Sequence, residues 1–164
     1  MSDLPILARL EQYLQRNDLS QHASLGFGKD GSVWLTNTGT AIKIHAIASS
    51  YLPERDAYIR LLARGIDHVA GFEIPVLLNF EDDLLALEMT VVSPPFVLDF
   101  ASARLDSPPD LIEDEGHTLY DLMEDRFGDR ASKVMELYEE LAAKADLYLL
   151  DFHPQNIKFA PSDD

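Results

Sequence analysis

The sequence contains no cysteine among its 164 residues. This absence excludes disulfide bonds and thiolate metal sites, and it fits a reducing compartment. No apolar run approaches the ~18–20 residues that a membrane-spanning helix needs. The opening residues, MSDLPILARLEQ, lack the basic region and the continuous apolar region of a signal peptide. We therefore expect a cytoplasmic protein without a membrane segment.

Basic side chains are scarce, since 13 Lys and Arg face 29 Asp and Glu, for a formal net charge of −16. A surface of this charge repels phosphate backbones, so we expect no nucleic-acid partner. The excess of acid has two open interpretations, which are simple solubility and attraction of a basic partner or substrate. Hydrophobic residues make up 46% of the chain, which suffices for a folded core.

The first part of the chain combines helical spacing with strand-like runs. Leucines at positions 4, 7, 10 and 14 predict an amphipathic helix over residues 3–16. The runs Ser32–Leu35 and Thr40–His45, separated by a glycine-containing turn, predict a β-hairpin. A second helix is predicted to begin at Ser49, with Pro53 in its first turn and Gly65 as its stop. Its shared face should carry Glu54, Tyr58, Leu61 and Leu62.

The second part begins with strands and ends with helices. Two apolar runs, Phe72–Phe80 and Leu84–Val92, predict strands joined by an acidic turn. Residues 104–117 are rich in Pro and Asp and predict a loop. The remaining predicted elements are two helices, Thr118–Met123 and Ala131–Ala145, and a short strand, Ile157–Ala160.

A glycine-rich segment, L-G-F-G-K-D-G-S-V, matches the pattern G-x-G-x-x-G-x-V. Glycines let backbone amides approach phosphate oxygens closely. An ordinary glycine turn explains the same letters, so the pattern alone is weak. It is not a dinucleotide-binding fingerprint, because a strand rather than a helix follows it.

A single lysine, Lys43, lies in the apolar strand that follows. A lysine facing solvent from an edge strand is the simpler interpretation, whereas a cation aimed at nucleotide phosphates is the functional one. The spacing from Val33 is what one hairpin needs to bring Lys43 back under the glycine segment. Glu54, on the next helix, is a candidate partner for an ion pair, although a first-turn glutamate also suits the helix dipole. His22, His45, His68 and His117 show no shared spacing, so we expect no histidine metal site.

The order of these features resembles that of eukaryotic-like protein kinases and of related small-molecule phosphotransferases. Leu87–Val92 is similar to the strand that enters the kinase hinge. Asp151–Asn156 resembles the catalytic loop D-x-x-x-x-N, above all the D-L-H-P-x-N variant of aminoglycoside-type kinases.

This resemblance implies roles for twelve residues. Asp151 would orient or deprotonate an acceptor hydroxyl, Asn156 would bind a metal ion, and Glu54 would hold Lys43 in place. Met89 would be the gatekeeper, and Thr90 and Val92 would offer backbone groups to adenine. The remaining nucleotide-binding residues implied are Gly26, Phe27, Gly28, Gly31, Val33 and Lys43.

The fold implied is α+β, with an antiparallel sheet and one αC-type helix in an N-lobe, and a reduced, mainly helical C-lobe. The resemblance places an N-terminal helix in residues 1–20 and the N-lobe in residues 21–93. The hinge and linker would occupy residues 94–117, and the C-lobe residues 118–164.

The sequence departs from the family in two places. Leu149 and Leu150 stand where His-Arg or His-Gly usually precedes the catalytic aspartate. The family also places a magnesium-binding aspartate, in a D-F-G or similar motif, about a dozen residues after the asparagine. Here eight residues follow Asn156, and only Asp163 and Asp164 among them are acidic.

We therefore expect a protein that binds ATP, with doubtful Mg²⁺ binding and with weak or lost phosphoryl transfer. The acceptor would be a protein hydroxyl or a small-molecule hydroxyl, and the D-F-H-P-Q-N spelling leans towards the small-molecule branch. The alternatives are a pseudokinase that acts as a nucleotide-responsive regulatory module and a relic with a structural role only.

Overall fold

A computed structural model describes residues 4–110 and 117–161. The predicted tail residues Asp163 and Asp164 lie outside this range. The N-terminal helices and strands are α1 (Ile6–Arg16), β1 (Gln21–Gly28), β2 (Gly31–Thr36), β3 (Thr40–His45), α2 (Ala48–Ala63), β4 (His68–Val69), β5 (Phe72–Glu73), β6 (Leu77–Glu81) and β7 (Ala86–Thr90). They are followed by β8 (Phe96–Val97), β9 (Arg104–Leu105), α3 (Leu119–Phe127), a 3₁₀ turn (Gly128–Arg130), α4 (Ala131–Ala145), β10 (Leu147–Tyr148) and β11 (Ile157–Lys158).

The main sheet has five strands in the order β1-β2-β3-β7-β6, and every neighbouring pair is antiparallel. Because side chains alternate along a strand, β3 presents Ile42 and Ile44 to one face and Ala41 and Lys43 to the other. Helix α1 covers the first face, where Leu10 and Tyr13 join a core that includes Ile42 and Ile44. Helix α2 covers the second face and leaves Lys43 beside it.

The second face of the sheet shares one hydrophobic core with the C-terminal part of the chain. Buried residues of α2 and β7 pack in the same cluster as Val134, Leu137 and Leu141 of α4. A four-stranded sheet, in the order β11-β8-β5-β4, contributes Val69, Phe72, Val97 and Ile157 to the same core. Strands β8 and β11 pair antiparallel although the long segment with α3 and α4 separates them in the chain.

The α+β fold with an antiparallel sheet and one helix between its third strand and the later strands agrees with the prediction. The hairpin and helix α4 have the predicted positions, and Gly65, with a φ of +65°, follows the end of α2 as expected. Thr118 caps α3 through the backbone N–H of Asp121.

Some local predictions were wrong. Helix α2 begins at Ala48, so Pro53 lies in its second turn rather than its first. Leu62 is 50% exposed and does not share the buried face of Glu54, Tyr58 and Leu61. The run Phe72–Phe80 forms two strands, because Pro75 has no N–H to donate to a β-ladder.

No helix among the described residues is long and apolar enough to cross a membrane.

Gly31 is the glycine on which the β1–β2 hairpin depends. A Cβ at this position would lie 2.3 Å from the carbonyl oxygen of Ile44, which is main chain and cannot rotate away. We expect Gly31→Ala to lower the free energy of unfolding by about 2–4 kcal/mol, measured by urea denaturation. Gly26→Ala is the matched control, since a Cβ there meets no atom within 4 Å. Equal losses for both variants would contradict this account.

Candidate active site

A cleft of about 840 Å³ lies between the main sheet, the β1–β2 hairpin and the C-terminal segment. The residues that the sequence singled out lie on different elements, yet the fold brings all twelve to the walls of this cleft. They are Gly26, Phe27, Gly28, Gly31, Val33, Lys43, Glu54, Met89, Thr90, Val92, Asp151 and Asn156. Their placement in one cleft is observed, and their individual roles remain predictions.

Lys43 and Glu54 form a buried ion pair on the floor of the cleft. Lys43 Nζ donates to Glu54 Oε2 over 2.6 Å, and the two side chains are 13% and 1% exposed. Burial alone would lower the pKa of Lys43, but the negative charges of Glu54 and Asp99 outweigh it and raise that pKa. Burial would likewise raise the pKa of Glu54, but Lys43 and His45 lower it to about 2. Both groups are therefore charged near neutral pH.

The β1–β2 hairpin forms the roof of the cleft. Gly28 pairs with Gly31, so Lys29 and Asp30 form its tip. Phe27 is 76% exposed, and its ring meets the edge of Trp34 at 6.4 Å between centroids. The space beside Gly26 is open, so a ligand can approach the main chain there.

The end of β7 forms the side wall of the cleft. Met89 is buried and lines the cleft. The Thr90 N–H already donates to the carbonyl of Val76, and its hydroxyl accepts from the Val76 N–H. In the described part of the chain the backbone of Val92 makes no backbone hydrogen bond. Of the two predicted hinge residues, Val92 is therefore the one whose main-chain N–H is open to a ligand.

The segment Asp151–Asn156 closes the opposite side. Asp151 is about half exposed, and Asn156 Nδ2 lies 3.5 Å from Asp151 Oδ2. Arg126 of α3 donates to the carbonyl of Phe152, and its Nη1 lies 3.7 Å from Asp151 Oδ1. Arg126 thus places a positive charge beside Asp151. The two residues before Asp151 are Leu149 and Leu150, where the resemblance implies polar residues. Sequence reasoning missed Arg126, because its contact with the loop is long-range.

Asp99 is a carboxylate in the cleft that the sequence analysis did not name. Its Oδ1 lies 4.0 Å from Lys43 Nζ, and its side chain is 25% exposed. Burial raises the pKa of Asp99, and the nearby charge of Glu54 adds to this effect, while Lys43 opposes it. Its backbone has a φ of +67°, and its Oδ1 accepts from the Ala101 N–H. Burial is therefore the main effect that disfavours the ionised form of Asp99.

The pairing of β8 with β11 explains how Asp99 reaches the cleft. The Leu98 N–H donates to the carbonyl of Asn156 over 2.7 Å, so Asp99 follows directly after the point where the two strands meet. The ring of Phe100 packs against Tyr58 of α2, one helical turn after Glu54, at 5.2 Å between centroids. The letters Asp99-Phe100 match the start of D-F-G, but this pair comes before Asp151 in the chain and not after Asn156, where the resemblance places it.

The chemistry of these donors fits a magnesium ion held together with phosphates. In the described ranges no three His, Cys, Asp or Glu side chains cluster as a metal site. Mg²⁺ does not need such a cage, because it commonly uses one or two protein ligands together with substrate phosphates and waters. Asp99 and Asn156 line the same cleft and offer oxygen ligands of this kind.

Comparisons with known proteins found no matching family model and no matching curated sequence. Among solved structures, the chain is similar to the streptomycin–ATP–APH(2'')-IIa ternary complex, with 19% identity, a TM-score of 0.41, and coverage of 57% of this chain and 30% of that one. It is similar to the ADP-bound aminoglycoside phosphotransferase APH(2'')-Ib, with 18% identity, a TM-score of 0.41, and coverage of 52% of this chain and 28% of that one. It is also similar to the gentamicin–APH(2'')-IIa complex, with 19% identity, a TM-score of 0.42, and coverage of 57% of this chain and 30% of that one. The chain spans less than a third of the length of these structures.

The fold is kinase-like. This character rests on the chain's own architecture: an antiparallel five-stranded sheet, a helix after its third strand, and the Lys43–Glu54 ion pair that joins them.

The depressed pKa of Glu54 makes folding sensitive to acid. Glu54 has a pKa of about 2 in the folded chain, against an ordinary value of 4.5. The unfolded chain therefore takes up the proton first as the pH falls. The stabilisation is complete above pH 4.5 and is lost between about pH 4.5 and 2, a change on the order of 3 kcal/mol. Urea denaturation as a function of pH measures it.

In Glu54→Gln this part of the acid dependence should disappear, so the free energy of unfolding should fall less steeply between about pH 4.5 and 2 than in wild type. Glu136→Gln is the control, because Glu136 forms an exposed pair with Lys133 and its loss should leave the slope unchanged. The same acid slope in wild type and Glu54→Gln would show that the ion pair does not depress the pKa.

Proposed function

We propose that this protein binds ATP in the cleft and transfers its terminal phosphoryl group to a hydroxyl acceptor. One observation supports this function most strongly. The buried Lys43–Glu54 pair faces a second carboxylate, Asp99, 4.0 Å from the same ammonium, beneath a glycine hairpin. A fixed cation and a partly buried carboxylate, side by side in an open cleft, suit a ligand that carries phosphates and a metal ion.

The phosphates would lie under the hairpin. Lys43 supplies a cation whose position is fixed by Glu54, which lowers the cost of ordering a flexible side chain on binding. The open space beside Gly26 allows phosphate oxygens to approach the main chain. The acidic tip residue Asp30 lines the same region, so binding without a neutralising metal ion would be weaker.

The adenine would lie against the end of β7. Buried Met89 and half-buried Val33 line the cleft there and provide an apolar surface against which a flat aromatic ring can pack. The Val92 N–H supplies a donor, whereas the Thr90 N–H is already engaged. We propose Val92 as the main hinge contact.

The metal ligands would be Asp99 and Asn156. These two side chains would hold a Mg²⁺ ion, which would supply positive charge against the negative charge that develops during transfer. This assignment gives the cleft the metal-binding aspartate that was expected after Asn156.

Asp151 would act on the acceptor. Its half-exposed carboxylate lies at the cleft edge and can take the proton of an incoming hydroxyl. The hydroxyl oxygen then bonds to the γ-phosphorus, the bond to the bridging oxygen breaks, and ADP leaves. The open position of Asp151 favours a small-molecule hydroxyl or an exposed protein hydroxyl as the acceptor.

The second candidate is a pseudokinase that binds nucleotide without turnover. Leu149 and Leu150, in place of polar residues before Asp151, favour this alternative. Both candidates predict nucleotide binding, and they differ in the transfer step.

Binding is tested by thermal shift with ATP, with and without Mg²⁺. At 100 times its dissociation constant, ATP should add about 2.7 kcal/mol to the free energy of unfolding. Lys43→Ala should abolish the shift, because it removes the phosphate cation. Lys133→Ala, on the exposed face of α4, is the matched control and should respond like wild type. No shift with millimolar ATP in wild type would refute both candidates.

The role of Asp99 is tested in the same assay with Asp99→Asn. Asparagine tolerates the left-handed backbone at this position, so the variant should fold. In wild type we expect Mg²⁺ to increase the thermal shift caused by ATP, and in Asp99→Asn we expect Mg²⁺ to cause no further increase. Asp125→Asn, an exposed residue of α3, should keep that increment. An intact magnesium increment in Asp99→Asn would exclude Asp99 as a ligand.

Transfer is tested by ADP release with ATP and Mg²⁺, in the presence of polyhydroxylated small molecules or serine- and threonine-containing peptides. The phosphotransferase predicts acceptor-dependent ADP release that Asp151→Asn lowers by a factor of about 10²–10⁴, the usual contribution of a general base. Binding of ATP without any such release would support the pseudokinase instead.

A further inference from the structure

His45 occupies a position that neither the sequence analysis nor the proposed function uses. It lies two residues after Lys43 on β3, so both side chains point to the same face of the sheet. Its side chain is fully buried, whereas that of Lys43 still reaches the cleft. A polar ring in such a place needs a hydrogen-bond partner to offset its loss of water.

The partner of His45 is Glu54. His45 Nε2 lies 2.5 Å from Glu54 Oε2, and Lys43 Nζ lies 2.6 Å from that same oxygen. One carboxylate oxygen therefore accepts from both side chains. Because an ionised carboxylate can only accept, the hydrogen in the first contact belongs to His45 Nε2.

The other ring nitrogen fixes the tautomer. His45 Nδ1 is buried and has no hydrogen-bond partner within the described residues. A hydrogen on Nδ1 would be a buried donor without an acceptor, which is costly, so the neutral ring with its hydrogen on Nε2 fits the site best.

The backbone of His45 is held as firmly as its ring. The His45 N–H donates to the carbonyl of Leu85 over 2.9 Å, and its carbonyl accepts from Arg9 Nη1 over 2.8 Å. Arg9 is 3% exposed and comes from α1, on the far side of the sheet from the cleft. The ring of Tyr51 packs against the imidazole edge at 5.4 Å between centroids. Among the described residues, the charged or titratable groups that flank His45 include Lys43, Glu54, Tyr51 and Arg9.

We propose that His45 is a positioning residue: its Nε2–H holds the Glu54 carboxylate in the orientation in which that carboxylate fixes Lys43. Glu54 is on a helix and Lys43 on a strand, so their ion pair alone leaves the carboxylate free to turn about its side-chain torsions. The second donor, anchored to the sheet and to α1, removes that freedom. The benefit of a fixed Lys43 for nucleotide binding rests on the proposed function, whereas the hydrogen bond itself does not.

The tautomer is tested on the wild-type protein by ¹⁵N NMR of the histidine rings under mildly alkaline conditions. We expect His45 to show one tautomer, with the hydrogen on Nε2. His22, an exposed histidine of β1, is the internal reference and should show averaged signals. A hydrogen on Nδ1 of His45 would overturn the proposal, and this measurement needs no variant to fold.

The effect on Glu54 is tested with His45→Gln and His45→Phe. Glutamine places an amide donor near the position of Nε2, whereas phenylalanine fills the space without a donor. The pKa of Glu54, followed by the ¹³C signal of its carboxyl group, should rise in His45→Phe and stay near the wild-type value in His45→Gln and in the control His68→Phe. Equal values in wild type and His45→Phe would reduce His45 to a packing residue.

ATP affinity links this positioning to the site. We expect the dissociation constant of ATP to rise about tenfold in His45→Phe, the equivalent of about 1.4 kcal/mol, and to return towards wild type in His45→Gln. If wild type does not bind ATP, the proposed function fails, while the NMR measurements still decide the role of His45. If ATP binds equally to wild type and His45→Phe, the positioning role fails and the proposed function stands.

Discussion

The hydrogen-bonded ion pair between Lys43 and Glu54 is the constraint on which the rest of the cleft depends. Both groups are nearly removed from water, which costs several kcal/mol for each charge in isolation. Their mutual attraction and the second hydrogen bond from His45 offset that cost. Because a lone buried charge would remain if either partner were lost, strand β3 and helix α2 are fixed relative to each other. That fixed relation also sets the distance between Lys43 and Asp99, and so the charge pattern that a phosphate ligand would meet.

The opposite face of the sheet supports this arrangement. Helix α1 buries Leu10 and Tyr13 against β3 and β7, and Arg9 reaches through to the carbonyls of His45 and Leu84. The hydroxyl of Tyr13 donates to Glu88, which also accepts from the hydroxyl of Thr40. Strand β3 therefore has packing partners on both faces and strand neighbours on both edges. A lysine on such a strand has a firmly held backbone, which suits the proposed role of Lys43 as a fixed cation.

The sequence predicts the parts of this structure that depend on local pattern. Strand β3 and helix α4 follow from alternation and from helical spacing, and the twelve candidate residues follow from the order of motifs. It does not predict β1, whose exposed side chains give no alternation of polar and apolar residues. It also misses Arg126 and His45, since each acts through a contact with a distant or unexpected partner. Asp99 was missed for another reason, because the resemblance places the expected aspartate after Asn156 in the chain.

The position of Asp99 shows why chain order is a weak guide to a site. In a β-ladder, the two strands need only hydrogen bonds to each other, and either strand can come first in the chain. Here β8 precedes the helices and β11 follows them, yet their antiparallel pairing puts the residue after Leu98 beside Asn156. The connection runs through α3 and α4 instead of through a tight turn. Electrostatic stabilisation depends on where a carboxylate lies and not on the path by which the chain reaches it. A cleft with Lys43, Glu54, Asp99, Asp151 and Asn156 on its walls therefore carries the same charges as one in which the aspartate follows the asparagine.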